Sequence, residues 1–109
     1  MHELAITQGV VETITERLPG ARVRAVRLEI GALSGVVIDS VRFCFDLVTE
    51  GTNLAGASLD IDEPPGRCRC RGCGLEFTSA DALPLCPCGS ADAEVLSGQE
   101  LRIISVRVA

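Results

Sequence analysis

Apolar side chains are spaced along this chain in two different periods. From residue 4 to 18, Leu4, Val11, Ile14 and Leu18 recur at helical spacing, with Glu12, Glu16 and Arg17 between them. That predicts an amphipathic helix, stopped by Pro19-Gly20. Next, Val26, Leu28 and Ile30 alternate with Arg27 and Glu29, the period of a strand with one buried face. A second helix is predicted from about Asp39 to Glu50, capped by Asp39, with Val41, Cys44, Phe45 and Val48 as its apolar stripe. Ala57, Leu59 and Ile61 alternate with Ser58, Asp60 and Asp62 as a second strand, which Pro64-Pro65-Gly66 breaks. A third strand carries Leu101, Ile103, Ile104, Val106 and Val108, and its change of phase at Ile103-Ile104 predicts a bulge.

The stretch from Pro64 to about Ala93 is different. Its only large apolar side chains are Leu75, Phe77, Leu83 and Leu85. So few cannot offset the ordering of some 30 residues at roughly 1–2 kcal/mol each. A structural zinc ion, which contributes roughly 10–16 kcal/mol in small peptides, makes up such a deficit. The expected fold is therefore α+β: a small two-layer domain of about three strands and two helices, with an inserted zinc-ribbon-like domain. The expected boundaries are residues 1–63 plus 97–109 for the first and 64–96 for the insert.

Composition narrows the chemistry. The chain has 109 residues, enough for one domain with a modest insert. Fifteen acidic residues face ten basic ones, all arginine, for a net charge of −5. This balance opposes a surface that tracks nucleic acid. At 3% aromatic content, base-stacking platforms are nearly absent. No apolar run approaches the roughly 18 residues of a membrane span. The opening Met1-His2-Glu3 has neither a basic flank nor an apolar core of a signal peptide, so the expected location is cytoplasmic.

Five of the six cysteines, Cys68, Cys70, Cys73, Cys86 and Cys88, fall within 21 positions. Without an export signal, such clustering points to metal ligands rather than disulfides. Cys70-Arg-Gly-Cys73 is a C-x2-C knuckle followed by Gly74, and Cys86-Pro-Cys88 is a tighter C-x-C followed by Gly89. Four thiolates suit tetrahedral Zn²⁺, and a glycine after each pair lets the backbone wrap the metal. The best four are Cys70, Cys73, Cys86 and Cys88, with Cys68 as a fifth thiolate that leaves the set open. A catalytic zinc would need an open position, and the deaminase pattern H-x-E…P-C-x-x-C is absent. Arg67, Arg69 and Arg71 alternate with the cysteines; they either contact phosphate or offset the negative thiolate cluster. Cys44, between Phe43 and Phe45, reads as a small core residue.

His2 is the sole histidine. The α-amine of Met1, the amide nitrogen of His2 and its imidazole can close adjacent chelate rings on one ion. Glu3 can add a carboxylate oxygen or its amide nitrogen. Such a nitrogen-rich, near-planar set suits Ni²⁺ or Cu²⁺ better than Zn²⁺.

Taken together, Met1-His2-Glu3 opening a helix, Leu28-Glu29-Ile30-Gly31, the Cys70–Gly74 knuckle, Cys86-Pro87-Cys88-Gly89-Ser90 and Ser97-Gly98-Gln99-Glu100-Leu101-Arg102-Ile103 resemble the HypA (HybF) hydrogenase maturation proteins across essentially the whole chain. The resemblance implies a nickel metallochaperone, not an enzyme. It implies nickel held by His2 with Met1 and Glu3 assisting, and structural zinc on Cys70, Cys73, Cys86 and Cys88. It further implies work with a HypB-type GTPase, delivery to the [NiFe]-hydrogenase large-subunit precursor and, in some members, service to urease maturation. The second cysteine pair is one residue shorter than the family's usual Cys-Pro-x-Cys, which keeps Cys68 open as a substitute ligand. Having no lysine, the chain lacks G-x4-G-K-[ST], so any nucleotide-driven step falls to a partner. An insert on two connecting segments would also permit domain swapping into a homodimer. The competing readings are a zinc-ribbon interaction module for nucleic acid or protein, using the three arginines, and a thiol oxidoreductase using Cys70 and Cys73.

Overall fold

The computed structural model describes residues 2–81 and 83–109. Its elements run α1 (Glu3–Arg17), β1 (Val23–Ile30), α2 (Ile38–Val48), β2 (Ser58–Asp62), β3 (Gly66–Cys70), β4 (Glu76–Ser79), β5 (Ala93–Ser97) and β6 (Leu101–Val108). The strands form two three-stranded sheets, ordered β2-β1-β6 and β4-β3-β5. The fold is α+β. The chain divides into two compact units, one of Met1–Leu28, Val36–Ile61 and Arg102–Ala109, the other of Glu29–Gly35 and Asp62–Leu101.

In the first unit α1 packs on α2. The core there comprises Val10, Val11 and Ile14 of α1, Val23, Val26 and Leu28 of β1, Val41 and Phe45 of α2, and Leu54. The helical period is right but its phase is shifted. Leu4, expected on the buried stripe, is 51% exposed, and Leu18 is only half-buried. Glu3, Thr7, Val10, Val11 and Ile14 face inward instead. Helix α1 ends at Arg17, three residues before Gly20, whose φ of +76° favours a residue without a Cβ. Helix α2 is shorter than expected and is not capped by Asp39: its N-cap is Val37, with no side-chain cap, and Asp39 lies in its first turn. The Asn53 side-chain amide ties the chain after α1 in place, donating to Leu18 and Ala21 carbonyls at 3.0 and 2.6 Å.

In the second unit β3 is the central strand, antiparallel to both neighbours. Gly66, Cys68 and Cys70 point to the buried side, and Arg67 and Arg69 to solvent. Cysteine and glycine thus occupy the positions a strand usually gives to large apolar residues. The ladder is irregular on the β5 side between Arg67 and Cys68. Three chain segments meet next to it. Gly31 donates to the Glu100 carbonyl at 2.8 Å, Ala32 to Pro64 at 2.9 Å and Leu33 to Gly98 at 2.8 Å. The approach is so close that a Cβ on Gly31 would collide with the Gly98 carbonyl, and one on Gly66 with the Leu33 side chain. Along β6, Leu101 and Ile103 are half-buried, then Val106, with Ile104 and Ser105 exposed between them.

Candidate metal centre

Strand β3 delivers Cys70 at its last residue, and the chain turns at once so that Cys73 returns toward it. Gly74 closes the turn by donating to the Cys70 carbonyl at 2.9 Å, with φ at +79°. The second pair is built the same way: Gly89 donates to the Cys86 carbonyl at 2.8 Å, with φ at +97°. Cys86 itself donates to Ser90 at 2.9 Å, which closes the loop ahead of β5. At both glycines the space around a Cβ is open, so the demand is on backbone conformation alone.

These turns bring four sulfurs together. The Cys70, Cys73, Cys86 and Cys88 Sγ atoms all lie within 4.8 Å of one another. Cys70 and Cys88 are 3.7 Å apart, and Cys73 and Cys86 3.6 Å apart. Thiolates on a tetrahedral ion with bonds near 2.3 Å would be about 3.8 Å apart, so the arrangement fits zinc. The shortened C-x-C pair reaches this geometry as well as the C-x2-C pair does. Cys68 is not in the cluster. It is fully buried in mid-strand, opposite Phe77 on β4 and Val95 on β5.

The four sulfurs differ in their readiness to ionise. The Cys73 N–H donates to Cys70 Sγ, and that contact, with the Gly72 N–H and the Cys73 and Cys88 thiols, outweighs burial and lowers the Cys70 pKa to about 6. Cys86 receives the Cys88 N–H, which favours its thiolate, but burial and the surrounding Cys88, Cys73 and Cys70 sulfurs push it up to about 12. Four negative sulfurs in one place repel each other, and a dication removes that repulsion. Cys70 and Cys86 are buried whereas Cys73 and Cys88 are exposed. The arginines between them are engaged with carboxylates. Arg67 and Arg69 both meet Glu76, at 3.0 and 3.2 Å, Arg69 also reaches Glu94 at 3.7 Å, and Arg71 pairs with Asp92 at 3.1 Å. Arg69 and then Arg67 hold the Glu76 carboxyl below its usual range. Carboxylates on either side of β3 and in the loop ahead of β5 are thus the partners of all three arginines.

The family model described as "Hydrogenase/urease nickel incorporation, metallochaperone, hypA" matches residues 1–108. The chain belongs to the HypA family. Relatives named hydrogenase maturation factor HypA include one from Geobacter metallireducens, 49% identical over 109 residues, covering 99% of each chain. Another, from Nostoc punctiforme, is 46% identical over 108 residues, covering 99% of this chain and 96% of the relative. Among solved structures, the solution structure of the Ni metallochaperone HypA from Helicobacter pylori aligns with a TM-score of 0.64 at 22% identity, over 99% of this chain and 97% of that one. At that identity the likeness concerns the fold. Membership in the HypA family makes the chain a nickel metallochaperone for hydrogenase maturation rather than an enzyme.

The second group of site residues lies at the start of α1. His2 is exposed and is the N-cap of the helix, its carbonyl accepting the Ile6 N–H at 2.8 Å. Glu3 is buried, and its Oε2 accepts the Val37 N–H at 3.1 Å. Met1 lies outside the described residues. Beside Glu3 is a shallow depression of about 430 Å³, lined by Leu4, Asp39, Ser40, Phe43 and Cys44. Cys44 is half-buried there, and Phe43 is 68% exposed. Among the described residues no helix is long and apolar enough to cross a membrane.

Proposed function

We propose that this chain binds Ni(II) at its N-terminus and hands it on for the maturation of [NiFe]-hydrogenase. His2 is the principal ligand, with Met1 and Glu3 assisting, and a structural zinc ion is held by Cys70, Cys73, Cys86 and Cys88. Nickel is the cargo and zinc the resident ion. Residues 1–63 plus 97–109 carry the first role and residues 64–96 the second. The observation that carries this reading is the exposure of the sole histidine at the N-cap of α1. Family membership supplies the metal and its destination.

The chemistry is consistent with a carrier. A few nitrogen donors at an exposed chain end can grip an ion that favours planar nitrogen coordination, and can release it without opening a core. Four thiolates closing a tetrahedron leave no vacant position and favour retention. Lacking a phosphate-binding loop, the chain depends for nucleotide-driven release on a partner, a HypB-type GTPase. The hydrogenase large-subunit precursor is the recipient, urease maturation factors are further clients, and the setting is cytoplasmic. An exchange of the cysteine-bearing segment between two copies would give a homodimer.

Equilibrium dialysis of the tag-free chain against Ni(II), with zinc measured in the same samples, tests the assignment. The parent retains both metals, and His2→Ala loses nickel while keeping its zinc. Stoichiometric nickel on His2→Ala would falsify the site. Protons compete for imidazole and amine, so nickel affinity is expected to fall between about pH 7.5 and 6. An unchanged affinity over that range would remove these donors from consideration.

A further inference from the structure

Glu3 is the one charged residue among the described residues that is buried, at 5% exposure. A buried carboxylate costs several kcal/mol unless its oxygens are satisfied. Its Oε2 accepts the backbone N–H of Val37, 34 residues further on. Val37 is the N-cap of α2, where no side chain of that helix provides a cap. In the local capping box a Glu three residues into a helix accepts the N-cap N–H of the same helix. Here Glu3 performs that service for the other helix. As the first residue of α1 it also places its negative charge at the positive N-terminal ends of both helices. Its backbone is engaged too: the Glu3 carbonyl accepts the hydroxyl of buried Thr7 at 2.7 Å.

Directly before this anchored residue stands exposed His2. We propose that the Glu3 carboxylate is a positioning residue and not a metal ligand: pinned to the Val37 N–H, it fixes the first turn of α1 and so holds His2 and the chain end in place for nickel. This rests on the nickel reading above and defines how Glu3 assists. Swinging the carboxylate out toward a metal would carry Oε2 off the N-cap of α2 and leave that N–H without its acceptor, so the group is held where the second helix needs it.

Three variants decide the matter. Glu3→Ala removes the pin from one side. Val37→Pro removes it from the other, at a position whose φ of −84° lies near the proline value of about −65°. Glu3→Gln keeps an oxygen that accepts the same N–H. Each tag-free variant is measured for Ni(II) affinity, for the ligand-field absorption of bound Ni(II) and for hydrogen exchange at the Val37 amide. A hydrogen bond to a charged group is worth about 1.5–3 kcal/mol, so Glu3→Ala and Val37→Pro are each expected to weaken nickel at least about tenfold. The absorption band should stay where it is in the parent. Glu3→Gln should recover most of that loss, and Val37 amide protection should vanish in Glu3→Ala but persist in Glu3→Gln.

A shifted absorption band in either Glu3 variant would place the carboxylate on the metal and overturn the proposal. So would parent-like affinity in Val37→Pro, or an unaltered Val37 amide in Glu3→Ala. Failure of the nickel reading looks different: the parent holds no nickel, or His2→Ala holds as much as the parent. That outcome removes the positioning role as well, while the Val37 exchange still reports whether the pin exists.

Discussion

Cys68 and Cys70 are two residues apart on one strand and share its buried side, yet they do different work. Cys70 sits where β3 ends and its sulfur turns to Cys73, Cys86 and Cys88; Cys68 sits between Phe77 and Val95 and behaves as a small apolar residue. Cys68→Ala is therefore expected to keep a full equivalent of zinc and cost only about 1–2 kcal/mol of stability, whereas Cys73→Ala should lose zinc. Metal analysis beside a thermal melt checks both, and zinc lost from Cys68→Ala would return that thiol to the ligand set. The knuckle cysteines and their glycines were legible as residues because metal ligands are few in kind and come at short spacings. The Glu3–Val37 bond was not, since nothing local relates positions 34 apart.

Among the elements, the two helices, β1, β2 and β6 all follow from periodicity, and their ends differ from expectation by up to three residues, the most at the start of β1. Phase was harder than period. Leu4 matches the helical stripe in type, yet Glu3, Thr7 and Val10 take the inward face. Burial of a charged residue is decided by whether a partner waits for it, and that partner belongs to α2. Strands β3, β4 and β5 were hidden for a different reason. The central strand β3 fills its inward positions with Gly66, Cys68 and Cys70, which carry little hydrophobic signal, although counting cysteine as apolar restores the alternation with Arg67 and Arg69, and β4 and β5 are only four and five residues long. The junction of residues 31–33, 64–66 and 98–100 shows why glycine recurs at these breaks. Gly31→Ala would force a methyl group into the Gly98 carbonyl, and overpacking of this kind costs about 1–3 kcal/mol. Chemical denaturation should show that loss; a variant as stable as the parent would mean the three segments can move apart at no cost.

At the level of the molecule, the two units draw their stability from different sources. The first has an apolar core with Phe45, Val41, Val26 and Leu28 almost wholly enclosed. The second buries Ile30 together with Cys68, Cys70 and Cys86 and leaves Leu75, Leu83, Leu85 and Leu96 exposed. Prolonged chelation of the full-length chain should therefore abolish the amide dispersion of β3, β4 and β5 while the resonances of α1 and α2 persist. Simultaneous loss of both sets would show that the metal supports the whole chain. Local sequence was sufficient for fold class, for the metal-binding composition and for the family, because helical and strand periods, cysteine spacing and turn residues are all short-range properties. Which face of α1 turns inward, which four of the five clustered cysteines converge, and what the carboxylate of Glu3 holds were decided by contacts between segments distant in the chain. Those depend on the packing of whole elements, and no window of neighbouring residues contains them.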